Sequence, residues 1–123
     1  MRYMMLIYTK ETEFATPEEM KTIADGHRAV MDETTRHGIL HGADPLEPTS
    51  TATTVRVDNG KVIVTDGPFA ETKEQLAGYY ILDCANLDEA LAWAAKIPTQ
   101  CGGSTGCVEV RPMRETQQSR AAG

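Results

Sequence analysis

A chain of 123 residues, 41% hydrophobic and 24% charged, is sized and composed for one domain with its own core. Its formal charge of −6, from 18 acidic against 12 basic side chains, argues against a nucleic-acid partner and against an anionic membrane surface, both of which are recognised mainly through Lys and Arg. No apolar run is long enough to span a bilayer, and the apolar start lacks a small-residue cleavage site, so the sequence reads as a cytoplasmic protein that does not engage a membrane.

Arg2 to Thr9 reads as a strand that is apolar on both faces: Tyr3, Met5 and Ile7 on one, Met4, Leu6 and Tyr8 on the other. Thr16-Pro17-Glu18-Glu19 is a helix start, with Thr16 at the N-cap, Pro17 at the first helical position and Glu19 closing a capping box. Met20, Ile23, Ala24, Val30 and Met31 then recur at the spacing of one helical face, with His27 among them, and Gly38 ends the helix near His37. Ile39 to Leu46 and Thr51 to Val57 read as strands. Asn59-Gly60 is a hairpin turn, and Lys61 to Thr65 returns from it. A polar loop over Glu71 to Gln75 leads to a strand from Leu76 to Cys84. Asn86 caps a second helix, with Glu89 three residues on. Its expected buried stripe is Leu87, Ala90, Leu91, Ala94 and Ala95, and Pro98 stops it. A glycine-rich loop precedes a last strand, Val108 to Arg111. Residues 1–114 form the expected single domain, and the small polar residues 115–123 a disordered tail.

The order β-α-β, hairpin, β-α-β gives an α+β, ferredoxin-like sheet with both helices on one face. Two helices cannot cover both faces of such a sheet, so a homodimer with sheets packed face to face is expected, with a ligand pocket between sheet and helix or at the dimer seam.

Three cysteines do not make a disulfide framework. Cys84 reads as a small buried hydrophobe, and Cys101 and Cys107, which bracket Gly-Gly-Ser-Thr-Gly, as free thiols with a local disulfide as the alternative. His27, His37 and His41 lack the spacing that would place them on one metal, and no phosphate loop or dinucleotide fingerprint is present, so no metal and no cofactor are expected.

Chemistry concentrates at two places. One is His27, whose imidazole is ready for proton transfer near neutrality if a carboxylate, Asp66 or Asp44, holds it; a packed core histidine is the alternative. The other is Asp66-Gly67-Pro68-Phe69, a rigid corner that sets a carboxylate and an aromatic ring beside each other. There Asp66 orients the imidazole or contacts a ligand, or else caps its own turn. Phe69 is a pocket wall or a core ring. Gly67, Pro68, Phe69 and Tyr79 make up the candidate ligand-binding set. Tyr79 and Tyr80 point to opposite sheet faces, so one of them should line the dimer side.

Asp66-Gly67-Pro68-Phe69 with Ala70-Glu71-Thr72-Lys73-Glu74-Gln75-Leu76-Ala77-Gly78-Tyr79-Tyr80, Ser50 to Arg56 and Val108 to Pro112 resembles the DGPF branch of the YCII-related family over nearly the whole chain. The resemblance implies a dimeric α+β barrel. YCII-type relatives place a histidine on the first helix eleven positions before its terminal glycine, with an Asp nearby as a proposed acid–base partner; His27 and Gly38 match that spacing. The loop from Cys101 to Cys107 departs from the family pattern in length and thiols. DGPF-branch members are often encoded beside, or fused to, sigma factors of the extracytoplasmic type. Two functional readings follow. The first is a small-molecule-binding homodimer doing cofactor-free proton transfer, isomerisation or elimination with His27 as base. The alternative is a non-catalytic module that accompanies a sigma factor.

Overall fold

Alternation and capping become a two-layer molecule in the computed structural model, which describes residues 1–11, 16–99 and 106–116. The element order is β1 (Arg2–Thr9), α1 (Pro17–Arg36), β2 (Leu40–Pro45), a 3-10 turn (Thr49–Thr51), β3 (Thr53–Asp58), β4 (Lys61–Asp66), β5 (Gln75–Asp83), α2 (Leu87–Ala94) and β6 (Cys107–Pro112). Four strands form one antiparallel sheet in the order β2-β5-β1-β6, and β3 and β4 form a separate two-stranded sheet. With the hairpin set aside, this is the ferredoxin-like arrangement of two interleaved β-α-β units, α+β with two helices and six strands among the described residues.

The helix starts follow from their caps. Thr16 Oγ1 accepts the Glu19 amide at 3.2 Å and bonds back to Glu19 Oε1 at 3.1 Å, while Asn86 Oδ1 accepts the Glu89 amide at 2.9 Å and Glu89 Oε2 accepts the Ala85 amide. These contacts satisfy amides that have no partner inside the helix. Gly38, at φ +71°, ends α1 in the left-handed conformation that glycine adopts without a Cβ clash.

The core lies between the sheet and the two helices. Tyr3, Met5 and Ile7 of β1 and Tyr80 and Leu82 of β5 are buried there with Val30 of α1, Ala90 and Ala94 of α2, Cys84 and Ile97. Cys84 is thus the buried hydrophobe the sequence suggests. Thr34 is fully buried among them because its hydroxyl bonds the Val30 and Met31 carbonyls at 2.8 and 3.1 Å.

Both helices bury a narrower stripe than their periodicity suggests. Met20 is 60% exposed and Ala24 is exposed, and the close packing of α1 begins at Gly26, where an added Cβ would lie 2.7 Å from the Pro98 ring. In α2 the buried positions are Ala90 and Ala94, joined beyond the helix end by Ile97. Leu87, Leu91 and Ala95 stay exposed.

The other face of the sheet carries no helix. Strand pairing places Leu6 beside Tyr79 and Glu109, and Met4 beside Ile81 and Arg111. Met4, Leu6, Tyr8, Tyr79 and Ile81 are half-buried there, an apolar centre edged by charge. No described helix is long and apolar enough to cross a membrane.

Candidate functional site

Tyr80 and Tyr79 are neighbours on β5, and the alternation of a strand sends them to opposite faces. Each finds a residue the sequence singles out, but not in the combination it suggests. On the helix side, His27 Nδ1 lies 2.7 Å from the Tyr80 hydroxyl, and the rings stack with centroids 5.9 Å apart at an interplanar angle of 20°. On the open side, the Tyr79 hydroxyl donates to Asp44 Oδ2 at 2.7 Å, across the β2–β5 pair in which Asp44 and Tyr79 are direct partners. The sheet therefore separates His27 from Asp44. Among the described residues, the side-chain partner of His27 is a phenol rather than a carboxylate.

The surroundings set the electrostatics of both pairs. Burial pushes the His27 imidazole below its ordinary pKa, because the charged ring loses water, and pushes the Tyr80 phenol up to about 12. Both groups are thus held neutral near neutral pH. Tyr79 is also raised, first by its hydrogen bond to the Asp44 carboxylate. His27 Nε2 makes no hydrogen bond among the described residues. No buried side-chain nitrogen or oxygen among them lacks a partner, so Nε2 meets solvent. The ring is thus anchored at one edge and open at the other.

The Asp66 carboxylate bonds to neither pair. Asp66 ends β4 opposite Thr53, is exposed, and its carboxylate makes no hydrogen bond among the described residues. The turn is held by backbone instead: the Gly67 amide donates to the Ala52 carbonyl at 2.7 Å, and Thr54 Oγ1 donates to the Gly67 carbonyl at 2.8 Å. Gly67 sits at φ +97°, a conformation a side chain would strain. Pro68 is exposed, and Phe69 is 78% exposed, so within one chain its ring forms neither pocket wall nor core.

The three histidines have three different neighbours. His37 meets Trp93 edge-on at 5.4 Å, and His41 Nε2 lies 3.8 Å from Asp83 Oδ2. Cys107 is a free thiol 3.6 Å from Glu74 Oε2, and burial and that carboxylate raise its pKa, which disfavours the thiolate. Cys101, its suggested partner, lies outside the described residues, as does most of the suggested tail. A shallow groove of about 300 Å³ runs between α2 and β6 over Leu91, Ala94, Ile97 and Cys107, and neither His27 nor Asp66 lines it.

The sequence does not mark Tyr80 as a site residue. A phenol within reach of a helix histidine leaves no local signal, since the two are 53 positions apart.

Comparison with known proteins fits this architecture. The YCII-related domain family matches residues 1–116. An uncharacterized protein, R00369 of Rhizobium meliloti (strain 1021), is 44% identical over 115 residues, covering 92% of each chain. The chain belongs to the YCII-related domain family.

Proposed function

We propose that this chain works as a homodimer that binds a small organic molecule and carries out cofactor-independent proton transfer, isomerisation or elimination on it, with His27 as the group that meets the ligand. The observation that supports this reading is the ring's two-sided setting, with Nδ1 fixed 2.7 Å from the buried Tyr80 hydroxyl and Nε2 open to solvent. A group anchored by a hydrogen bond on one edge and free on the other has the geometry general acid–base chemistry uses. The DGPF-branch assignment belongs to this reading, as does a cytoplasmic setting.

The homodimer is supported by apolar surface. On the hairpin, Val55 pairs with Val64 and Val57 with Val62 on one face, and all four are 60–70% exposed. Phe69 and the apolar side chains of the uncovered sheet face are exposed or half-buried as well, and a second copy of the chain would cover such surface. The same hairpin favours a second reading, an interaction module whose partner is a sigma factor of the extracytoplasmic type.

A thermal-shift screen of small carbonyl and carboxylate compounds against wild type and His27→Ala tests the first reading. A compound that stabilises wild type but not the variant supports it, and one that stabilises both equally removes His27 from the ligand site. Co-purification with a co-expressed sigma factor, lost on Val55→Asp with Val64→Asp, tests the second; no co-purification counts against it.

A further inference from the structure

We infer that the Tyr80 hydroxyl fixes the imidazole hydrogen of His27 on Nε2, so that the ring offers a ligand an N–H donor and the site takes its small molecule through an acceptor oxygen, a carbonyl or a carboxylate. This rests on the reading of His27 as the ligand-facing group, and it changes the part that group plays.

One hydrogen decides the tautomer. Tyr80 is 3% exposed, so its phenolic hydrogen needs a protein acceptor. Two candidates are in range: His27 Nδ1 at 2.7 Å and the His27 carbonyl oxygen at 3.5 Å. Hydroxyl donors sit about 2.5–3.0 Å from an oxygen acceptor, so the carbonyl is beyond ordinary reach. It also lies inside α1, where it serves the helix ladder. If Nδ1 carried the hydrogen, it would donate to Tyr80 and leave the phenolic hydrogen buried without a good acceptor. With the hydrogen on Nε2, the phenol donates to the Nδ1 lone pair and both groups are satisfied. Protonating the ring would break this arrangement, since Nδ1 would then have to donate; the burial that disfavours the charged ring acts in the same direction.

The solvent edge of His27 therefore holds a hydrogen rather than a lone pair. A neutral imidazole N–H does not take a proton from a substrate without first changing tautomer. It does donate to a carbonyl or carboxylate oxygen, so this edge binds and polarises such an oxygen and does not itself abstract a proton. Tyr80 is a positioning residue in this arrangement, acting on the ligand only through His27.

The test is a long-range proton–nitrogen NMR spectrum of the full-length labelled chain above neutral pH, with the His27 signals assigned by their loss in His27→Gln. The expected spectrum shows Nδ1 as a pyridine-like nitrogen and Nε2 as a pyrrole-like one, with Tyr80→Phe moving the ring toward a mixture. A pyrrole-like Nδ1 in wild type overturns the inference, as does an unchanged tautomer in a folded Tyr80→Phe variant. If that variant does not fold, the wild-type spectrum decides alone. Acetate and methylammonium then probe the open edge. Acetate should shift Nε2 and methylammonium should not, and the reverse overturns the acceptor-oxygen assignment. Silence to both with the expected tautomer overturns the ligand-facing reading, whereas the wrong tautomer overturns Tyr80's control and leaves that reading standing.

Discussion

The two faces of the four-stranded sheet are built from alternate residues of the same strands and live under different physics. On the helix face, Tyr3, Met5, Tyr80 and Leu82 are buried, and the one phenol–imidazole pair is held neutral by lost water. On the open face, Met4, Leu6, Tyr79 and Ile81 are half-wet, and the matching phenol bonds an exposed carboxylate. Tyr79 and Tyr80 thus make hydrogen bonds of equal length, 2.7 Å, with unequal consequences. A bond at the edge of the core ties up a phenol that is itself buried, whereas one at the surface competes with water.

The largest effect that would break this contrast comes from the core. Leu82→Ala, at a fully buried position, should cost about 2–5 kcal/mol by urea unfolding. A loss no larger than a surface substitution would mean that the helix face is not the core. On the open side, Leu6→Lys, which faces Glu109 across the β1–β6 pair, should dissociate the proposed dimer in sedimentation while costing the separate chain less than Leu82→Ala does. A wild type that sediments as a monomer ends the dimer reading outright.

Tyr80→Phe removes a buried donor and leaves Nδ1 half-buried without its partner, an expected loss of about 1–2 kcal/mol. The pH dependence of stability sharpens the same point. The folded-state pKa of His27 is depressed, so below the ordinary value of 6.5 the unfolded chain binds more protons than the folded one. The contribution of His27 to stability is therefore fully present above pH 6.5 and is lost as the pH falls through the folded pKa. His27→Gln should flatten that part of the profile; an unchanged slope would show that His27 is not its source. The smallest effect belongs to Tyr79→Phe, which should stay within about 0.5 kcal/mol because its partner Asp44 is exposed.

Much of the fold was legible in advance because its signals are local. The caps at Thr16 and Asn86, the Asn59-Gly60 turn and the alternation of β1 each depend on a few adjacent residues, and the elements lie where those residues put them, within two residues at most boundaries. The buried stripes were less legible. Periodicity marks which residues share a helical face but not how far along the helix a neighbour is present, so Met20 and Leu91 were expected inside and lie outside. The site was least legible. His27 and Asp44 were both read as chemistry-bearing and as partners, yet β5 lies between β2 and β1, and the sheet stands between the two side chains.

By itself, then, the sequence determined the order and type of the elements, the opposite facing of Tyr79 and Tyr80 and the rigid turn at Gly67, because each is settled by backbone preference and by spacing over a few bonds. Only the tertiary structure decided that His27 answers to Tyr80 and Asp44 to Tyr79. Those partnerships depend on which strand is inserted beside which, and contacts 53 and 35 positions apart are fixed by the packing of the whole sheet rather than by any short stretch of chain.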